Sequence, residues 1–598
     1  MAKVHTERLD ALRRRLQTTE LDAWLMHTSD PHLSEYVPEH WQSIEWLTGF
    51  TGSHALVCVT AHDAALFTDS RYWEQAEAQL AETPFVLVKE GHPNAPTVQE
   101  WFLANLPDNS RIGLADDLWS IRTFRHFRET LAPEGRTLVP TRDLTDALWT
   151  VDRPTIPRGA IQPMALPLSR VPGKLASLRE AVSKLKADAV CLSALDDIAW
   201  LTDCRGNDIA YNPVFLSFMI VTATEARLYT EASRIDDKLG EALANAGITR
   251  CDPDTLSNDL RRLSGTKTFL IDPSQVSVRL FDTLTRPPVE APSPVTRLKG
   301  RKSTDECNGI REAMRSDGVA LVEFYADLDE RLTRGESLTE IDVANMIDAA
   351  RARRPDNLGN SFATISAFGP NAALPHYTPT PDHAATLSDG LLLVDSGGQY
   401  LTGTTDITRM TAVGDVSDAM RRDVTYVLKG MIALASAKVP EGTSGAQLDA
   451  LARAPLWSQG LDFGHGTGHG VGCRLNVHEG PFHISPRASA RGEDGLQIGR
   501  LVSDEPGVYR PGAWGVRIEN LILARPSEHS DFGRFIEFEV MTLCPIDLRT
   551  IDKSLLTPEE AEWLDRYHTH VRQVLGDMPL SPRAHQWLEA RTQPISET

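Results

Sequence analysis

Cysteine is scarce in this sequence, and long apolar runs are missing. The 598 residues include seven cysteines, an odd number, and no two of them form a C-x-x-C pair. This usage is typical of reduced thiols, so we expect a cytoplasmic protein. No stretch approaches the roughly 18 apolar residues of a membrane span. The charged amphipathic start of the chain contains no hydrophobic signal region, which predicts no export and no membrane partner.

Basic residues are also in deficit. Lysine and arginine number 61 against 82 aspartates and glutamates, a formal net charge of −21. A surface with that excess of negative charge repels phosphate backbones and anionic lipid. Nucleic acid is therefore excluded as an expected partner.

Several common catalytic motifs are missing as well. The glycine-rich stretch "DFGHGTGHGVG" (462–472) has Val471 where the third glycine of G-x-G-x-x-G would stand, and no Walker-type lysine follows. "VHEGP" (477–481) is not the H-E-x-x-H of zincins, and no G-x-S-x-G elbow occurs. The glycine-rich stretch is then either a simple loop or backbone that approaches a metal or substrate closely.

Two proline-rich stretches divide the chain. Residues 152–173 and 286–295 lack helical or strand periodicity and are interpreted as linkers. We therefore expect domains at residues 1–155, 156–298 and 299–598. The first two are predicted to be α/β domains, and the last is predicted to be α+β.

The first two predicted domains resemble each other. An amphipathic helix followed by an apolar strand is predicted at 8–26 and again at 174–192, and "IEWLTGFTG" (44–52) matches "IAWLTDCRG" (198–206). Because these blocks keep their order, we predict two domains of one fold. The first copy carries an extra stretch at 29–41, which is either a surface loop or an added functional element.

Acidic residues in the last predicted domain stand where an unpaired carboxylate is costly. The stretch 390–410 combines an apolar run, a predicted Gly-Gly turn and an alternating run. This pattern predicts a β-hairpin with Asp395 ending the first strand and Asp406 in the second. Burying a carboxylate is expensive unless it is paired or coordinated. Two aspartates facing each other across a hairpin therefore favour a bound cation.

Two glutamates follow. Glu505 precedes a Pro-Gly pair, and 515–523 predicts a strand in which Arg517 and Glu519 share one face, so that the arginine supports the glutamate. Each glutamate alone is better explained as a surface salt-bridge residue. With the two aspartates and a histidine of the glycine-rich stretch, they favour a metal site. Two divalent cations would neutralise the four carboxylates, and a hydroxide that bridges them would be the reactive species. This oxygen-rich donor set suits Mn²⁺ best, with Zn²⁺ or Co²⁺ also possible.

Several stretches resemble the motifs of the pita-bread dinuclear metallopeptidases. "HGTGHGVG", "LNVHEGP", "SDEPGVY" and "VRIENL" are similar to that family's metal-site motifs, most closely to those of cytosolic three-domain Xaa-Pro aminopeptidases (aminopeptidase P). "SDPHLSEY", "WLTGFTGS" and "TDSRYW" resemble the family's first domain, and "DIAYNPVFLSF" its second. The resemblance covers almost the whole chain. It implies two related creatinase-like α/β domains followed by a catalytic pita-bread domain.

Carried over residue by residue, the resemblance implies a complete metal site. Asp395 and Asp406 would bind one ion. Asp406 and Glu519 would bridge to the second ion. His469 and Glu505 would complete that second ion, and Glu505 would also act as general base. The glycines around His469 would let the imidazole reach the ion and leave room for a peptide.

The resemblance also implies which histidines face the substrate. His376 and His478 would hydrogen-bond the scissile carbonyl or its neighbour and stabilise the tetrahedral intermediate. His469 would line the same substrate position, and His465 would shape the catalytic wall. Without the resemblance, His376 would be better explained as a core histidine.

A homodimer acting on peptides with proline at the second position is the implied assembly and substrate. In the family, the first domain of a partner subunit closes over the catalytic cleft. Glu35 and Arg71 match family positions in that domain and are predicted to contact substrate. An X-Pro bond has no N–H, so an apolar pocket beside a polarised carbonyl suits it better than a site that binds that donor.

Three positions depart from the family pattern. An aliphatic residue is usual where Pro375 stands, a tryptophan is common at Asp327, and some relatives have aspartate at Ala363. These departures are expected to affect the cleft wall or the dimer surface, and none is a predicted metal ligand.

The predicted activity is hydrolysis of the bond between an N-terminal residue and a following proline. Prolidase, which has the same metal site but acts on dipeptides, is the nearest alternative, although its shorter chains carry one N-terminal domain. Creatinase-like enzymes share the fold without these metal ligands. A pita-bread binding module, as in histone chaperones, is the alternative outside enzymes, but those relatives have lost the ligands that this chain has.

Overall fold

The computed structural model describes residues 2–528 and 531–596. The chain forms two compact units, a front unit (Met1–Val295) and a back unit (Thr296–Thr598). The front unit contains two six-stranded sheets, and the predicted domain boundaries at 155 and 298 stay predictions. Within the described ranges, none of the helices has the length and apolar content that a membrane span requires.

The first sheet of the front unit has the strand order β4-β3-β2-β1-β5-β6. Strand β2 pairs antiparallel with β1 and β3, and the other pairings of the sheet are parallel. The strands are β1 (Ala23–His27), β2 (Leu56–Thr60), β3 (Ala64–Thr68), β4 (Val86–Lys89), β5 (Arg111–Ala115) and β6 (Thr137–Thr141). The helices are α1 (Ala2–Thr18), α2 (Ser43–Thr48), α3 (Trp73–Leu80), α4 (Val98–Asn105) and α5 (Ile121–Leu131).

The second sheet repeats this topology, in the order β12-β11-β10-β8-β13-β14. Strands β7 and β9 form a separate pair. The strands are β7 (Gln162–Pro163), β8 (Ala189–Leu192), β9 (Cys204–Arg205), β10 (Phe218–Thr222), β11 (Ala226–Tyr229), β12 (Thr249–Cys251), β13 (Phe269–Ile271) and β14 (Val289–Glu290). The helices are α6 (Val171–Lys184), α7 (Leu195–Thr202), α8 (Asp237–Asn245), α9 (Leu256–Ser264) and α10 (Val278–Thr283).

The two sheets confirm the duplication predicted from the sequence. Leu9 and Leu12 on α1 are buried, as are the matching Leu175 and Leu178 on α6. The interpretation of the proline-rich stretches as linkers is wrong in part. Helix α6 begins inside the first stretch, because proline is tolerated in the first turn of a helix. Strand β14 lies inside the second stretch and pairs in parallel with β13.

The back unit combines long helices with antiparallel strands. Its helices are α11 (Pro294–Lys299), α12 (Thr304–Thr333), α13 (Glu340–Ala352), α14 (Asp418–Ala435), α15 (Gly445–Trp457), α16 (Pro558–Gly576) and α17 (Pro582–Arg591). Its strands are β15 (Asn357–Asn360), β16 (Ile365–Phe368), β17 (Gly390–Ser396), β18 (Gly398–Tyr400), β19 (Gly403–Thr404), β20 (Ile407–Val413), β21 (Val439–Pro440), β22 (Gly468–Gly470), β23 (Glu479–Ile484), β24 (Leu501–Asp504), β25 (Gly507–Arg510), β26 (Trp514–Arg517), β27 (Asn520–Pro526) and β28 (Phe535–Val540).

The acidic residues singled out in the sequence lie in or directly beside strands of the back unit. Strands β16, β17 and β20 form one sheet, and a larger sheet has the order β21-β28-β27-β24-β22-β23. Apolar side chains of these strands and of α12, α14 and α15 form one core. Capping boxes at Ser303 and Ser444 fix the starts of α12 and α15.

Candidate active site

Strands β17 and β20 bring the two aspartates in, but the hairpin between them differs from the prediction. Asp395 lies near the end of β17 and pairs with a threonine of β20, while Asp406 immediately precedes β20. The predicted position of Asp406 inside the second strand is therefore wrong. The predicted Gly-Gly turn is also wrong, because Gly398 begins β18 and the chain reverses at residues 401–402. A small hairpin inserted between the two long strands causes both differences.

The remaining acids and one histidine meet Asp406. Glu505 follows β24, Glu519 stands between β26 and β27, and His469 is the middle residue of β22. Ligand atoms of Asp406, His469 and Glu519 all lie within 4.8 Å of one another. Nε2 of His469 is 3.6 Å from Oδ2 of Asp406 and 3.5 Å from Oε1 of Glu505. Residues distant in the sequence thus form one polar cluster.

The hydrogen bonds of His469 assign its tautomer. Nδ1 lies 2.9 Å from the carbonyl oxygen of Gly470, and only a protonated nitrogen can donate to a carbonyl. Nε2 is left with a lone pair toward the carboxylates, the form in which imidazole binds a metal. Burial, and next the nearby His478, lower the pKa of His469 well below its usual value, so the ring is neutral.

The carboxylates of this cluster fit divalent cations. Burial, and then neighbouring carboxylates, raise the pKa values of Asp406 and Glu519 well above their usual range. Burial raises the pKa of Glu505 to about 7. Oδ1 of Asp395 and Oε1 of Glu519 are buried and accept no hydrogen bond within the described structure. Two divalent cations would supply both the missing partners and the missing positive charge.

Arg517 supports a different carboxylate from the one predicted. It donates to Oδ2 of Asp395 from Nε at 3.1 Å and from Nη2 at 2.5 Å. Glu519 instead accepts a hydrogen bond on Oε2 from the Thr408 hydroxyl at 3.0 Å. The predicted continuous strand is wrong, because it breaks at Ile518 and Glu519. Because the strand is interrupted there, the two-residue alternation of side chains does not place Arg517 and Glu519 on one face.

Two more of the predicted histidines lie near this cluster. The ring of His478 is 4.4 Å from that of His469, at an angle of 81°. Nδ1 of His465 is 2.7 Å from the next residue's carbonyl oxygen, and Nε2 accepts a hydrogen bond from the Tyr509 hydroxyl at 2.8 Å. Burial lowers the pKa of His465 to about 3. Arg517 donates to that same hydroxyl at 2.7 Å. Tyr509, which the sequence reasoning missed, lies inside the quoted motif "SDEPGVY".

The turn that contains His376 is held next to Arg517. The carbonyl oxygen of Pro375 accepts a hydrogen bond from Nη2 of Arg517 at 3.3 Å. Proline in place of the family's usual aliphatic residue keeps this contact, because the acceptor is the backbone carbonyl of residue 375. Asp327 binds an arginine of α17 at 2.6 Å and so joins α12 to the C-terminal helix. Nothing in the structure explains Ala363.

Arg71 and Glu35 belong to a charged group of the front unit. Arg71 donates to Asp69 from Nε at 2.9 Å and from Nη2 at 2.7 Å, and its guanidinium lies 5.3 Å from the centroid of the Tyr72 ring. The hydrogen bonds to Asp69 raise the pKa of Arg71, and the charge of Glu35 adds to this rise. The predicted contact of both residues with substrate stays a prediction.

The glycines around His469 serve strand packing. A Cβ on Gly468 would lie 2.0 Å from the carbonyl oxygen of Ser503, and one on Gly470 would lie 2.2 Å from that of Glu479. Strand β22 therefore fits between β24 and β23 because these positions carry no side chain. The expectation that the glycines leave room for a peptide stays a prediction.

Four sequence profiles match successive parts of the chain. Two with the description Creatinase/Prolidase N-terminal domain match residues 8–149 and 152–306. Metallopeptidase family M24 matches residues 308–526, and the C-terminal region of peptidase M24 matches 534–595. These matches follow the two repeated sheets and the acidic cluster in order.

Known proteins are similar over the full length. The probable Xaa-Pro aminopeptidase P of Laccaria bicolor is 36% identical over 605 residues, covering 99% of this chain and 94% of the relative. The crystal structure of X-prolyl aminopeptidase from Caenorhabditis elegans, described as a cytosolic enzyme with a di-nuclear active site, has a TM-score of 0.92 at 33% identity. It covers 99% of this chain and 100% of that chain. The Xaa-Pro dipeptidase from Bacillus anthracis, at 23% identity and a TM-score of 0.50, shares the fold over 63% of this chain and 99% of its own.

Two creatinase-type sheets followed by a unit with a carboxylate-rich centre define a class of metallopeptidases. This chain belongs to metallopeptidase family M24. The predicted fold class, two related creatinase-like α/β domains followed by a pita-bread domain, is confirmed.

Proposed function

We propose that this protein is a metal-dependent aminopeptidase that removes the N-terminal residue from peptides with proline at the second position. The observation that carries this proposal is the buried cluster of Asp406, His469 and Glu519. It occurs in a chain similar over 99% of its length to a protein named Xaa-Pro aminopeptidase P. The family and the chemistry of the cluster thus support the same reaction.

Four carboxylates and one imidazole would hold two divalent cations. Asp395 and Asp406 would hold one ion, Asp406 and Glu519 would be shared with the second, and His469 and Glu505 would complete the second. Bound cations lower the pKa of a water molecule and polarise a carbonyl group. We assign Mn²⁺ because four of the donors are hard carboxylate oxygens and none is a thiolate.

The chain's own residues then bind and move protons. Glu505 takes a proton from the attacking water and passes it to the proline nitrogen as the amide breaks. His376 and His478 donate hydrogen bonds to the oxygen on which negative charge develops. The 4.4 Å separation of the His478 and His469 rings supports this placement of His478. His465, whose nitrogens already have partners, orients Tyr509 and Arg517.

Two further properties are proposed on the family likeness. We assign a cytoplasmic location, since the C. elegans structure is described as that of a cytosolic enzyme. We also assign a homodimer in which Glu35 and Arg71 contact substrate. Light scattering that returns a monomer in solution would contradict the dimer.

The test measures release of the N-terminal residue from an X-Pro-Y tripeptide by chelator-stripped protein, with and without added Mn²⁺. An X-Ala-Y tripeptide, an X-Pro dipeptide and the Asp406→Asn variant are the controls. We expect Mn²⁺-dependent cleavage of X-Pro-Y alone, and none by the variant. Cleavage of the dipeptide alone would instead identify a prolidase. Full metal loading without cleavage of any peptide would identify a binding module.

A further inference from the structure

Glu340 is a buried carboxylate on which a whole segment of the back unit converges. It lies in the first turn of α13, and none of its surface is exposed to solvent. We call the connection between β16 and β17 the His376 segment (residues 369–389). The residues that donate hydrogen bonds to Glu340 belong to this segment or directly precede it. None of the sequence motifs drew attention to Glu340.

Both oxygens of Glu340 accept hydrogen bonds. Oε1 accepts from the backbone N–H of Phe368 at 2.5 Å and from the Asn371 amide at 3.1 Å. Oε2 accepts from the Tyr377 hydroxyl at 2.7 Å, from the backbone N–H of Ala385 at 2.7 Å and from the Asn371 amide at 3.0 Å. Such bonds offset the cost of burying the carboxylate. The two oxygens of Glu340 thus bind residues at the beginning, middle and end of the connection between β16 and β17.

The His376 segment is also held against the acidic cluster. Arg517, which binds Asp395, also donates to the carbonyl oxygen of Pro375 at 3.3 Å. Gly515 lets its strand approach the segment closely, because a Cβ there would lie 1.7 Å from the carbonyl oxygen of Ala372. His376 therefore lies between a contact with Arg517 on the residue before it and a contact with Glu340 on the residue after it.

We propose that Glu340 and Tyr377 are positioning residues that fix His376 for transition-state stabilisation. The proposal rests on the proposed function, because His376 has its role only if the protein cleaves X-Pro peptides. Burial, and next the hydrogen bond to Glu340, raise the pKa of Tyr377, so its hydroxyl stays a donor at neutral pH. Without this hydroxyl the backbone beside His376 samples more conformations, and the imidazole is less often in place.

The primary variant is Tyr377→Phe, which removes one hydroxyl and keeps the ring. We expect kcat for X-Pro-Y to fall about tenfold, with KM within about twofold and Mn²⁺ affinity unchanged, because no metal ligand is touched. Glu340→Gln should lower kcat further, because an amide group replaces one of the acceptors. The matched control is Tyr229→Phe, which deletes a hydroxyl bonded to Asp259 at 2.9 Å in the front unit and should leave kcat unchanged.

A double-mutant cycle shows whether the effect passes through His376. In the His376→Ala background, Tyr377→Phe should cause little further loss. A second full tenfold loss in that background would overturn the proposal, as would a wild-type kcat for Tyr377→Phe alone. Either result would leave the proposed function intact, because the wild-type protein would still cleave X-Pro-Y.

Hydrogen exchange tests the structural step without relying on activity. Tyr377→Phe should speed exchange in residues 369–389 at least about tenfold, whereas Tyr229→Phe should leave that segment unchanged. If the wild-type protein cleaves no peptide, the proposed function fails. Hydrogen exchange then tests separately whether the Tyr377 hydroxyl holds the His376 segment. Faster exchange in Tyr377→Phe supports this claim, and unchanged exchange overturns it.

Discussion

Arg517 binds Oδ2 of Asp395 with two nitrogens, at 2.5 and 3.1 Å, across 122 residues of sequence. The other oxygen, Oδ1, is buried and accepts no hydrogen bond from the residues that the structure describes. One carboxylate thus has an oxygen fixed by the protein and an oxygen available to a cation. Because Arg517 also contacts Tyr509 and Pro375, the same guanidinium links the Asp395 carboxylate to the turn that contains His376.

Replacing Arg517 by lysine should weaken metal binding. Lysine keeps the charge but loses the planar fork that holds Asp395 and Pro375 together. We expect Mn²⁺ affinity to fall about 10–100-fold, the usual effect of changing a residue that orients a metal ligand. Calorimetric titration of chelator-stripped protein measures it. Arg525→Lys, at an exposed arginine 2.9 Å from Glu537, is the control, and equal affinity in both variants would contradict the prediction.

The metal-free protein should lose stability as pH rises. Burial raises the pKa of Glu505 from 4.5 to about 7. Between those values the folded state keeps a proton that the unfolded state has lost, so the free energy of unfolding decreases with pH. This pKa shift corresponds to a loss of about 3 kcal/mol in the free energy of unfolding, and the loss is complete above pH 7.

Urea unfolding across pH 4 to 8 measures this decrease. Glu505→Gln should make the decrease smaller without abolishing it, because the raised pKa values of Asp406 and Glu519 still contribute. Saturating Mn²⁺ should remove the decrease in the wild-type protein, because bound cations favour ionised carboxylates. Glu562→Gln, at an exposed surface residue, is the control and should follow the wild-type curve. A metal-free protein whose stability rises over this pH range would refute the assignment.

Lys302 should be required for the stability of the back unit. Its ammonium pairs with Glu479, the residue after His478, and the two side chains are only 2% and 1% exposed. Lys302→Met removes a buried ammonium group from a buried carboxylate and should cost about 3–5 kcal/mol. Lys302→Met combined with Glu479→Leu should recover much of this loss.

The control for Lys302 is a surface pair. Arg566 and Glu562 are 63% and 67% exposed, so Arg566→Met should change the free energy of unfolding by less than about 1 kcal/mol. Denaturant unfolding compares the variants. An Arg566→Met loss as large as that of Lys302→Met would show that burial does not set the difference.

Gly468 should tolerate no side chain. A Cβ at this position would lie 2.0 Å from the carbonyl oxygen of Ser503, so Gly468→Ala must displace β22 and with it His469. We expect a loss of about 1–3 kcal/mol in stability, together with weaker Mn²⁺ binding. Gly464→Ala, where nothing lies within 4 Å of the added Cβ, is the matched control. Similar stabilities in the two variants would contradict close packing as the reason for the glycine.

Part of the site is visible in local sequence. The acidic residues stand out because a carboxylate among apolar residues needs a partner, and the repeated sheets stand out because matching apolar patterns recur in the same order. Tyr509 lies inside the motif "SDEPGVY", but only the folded chain shows that its hydroxyl joins His465 to Arg517.

The duplicated front half and the composition of the acidic cluster could be predicted from the sequence alone, because both depend on short-range patterns and residue chemistry. The folded chain was needed to show which carboxylate Arg517 holds, why Gly468 must be glycine, and which residues Glu340 binds. Each of these depends on a contact between segments far apart in the chain. Periodicity within one strand or helix contains no information about which distant segment packs against it.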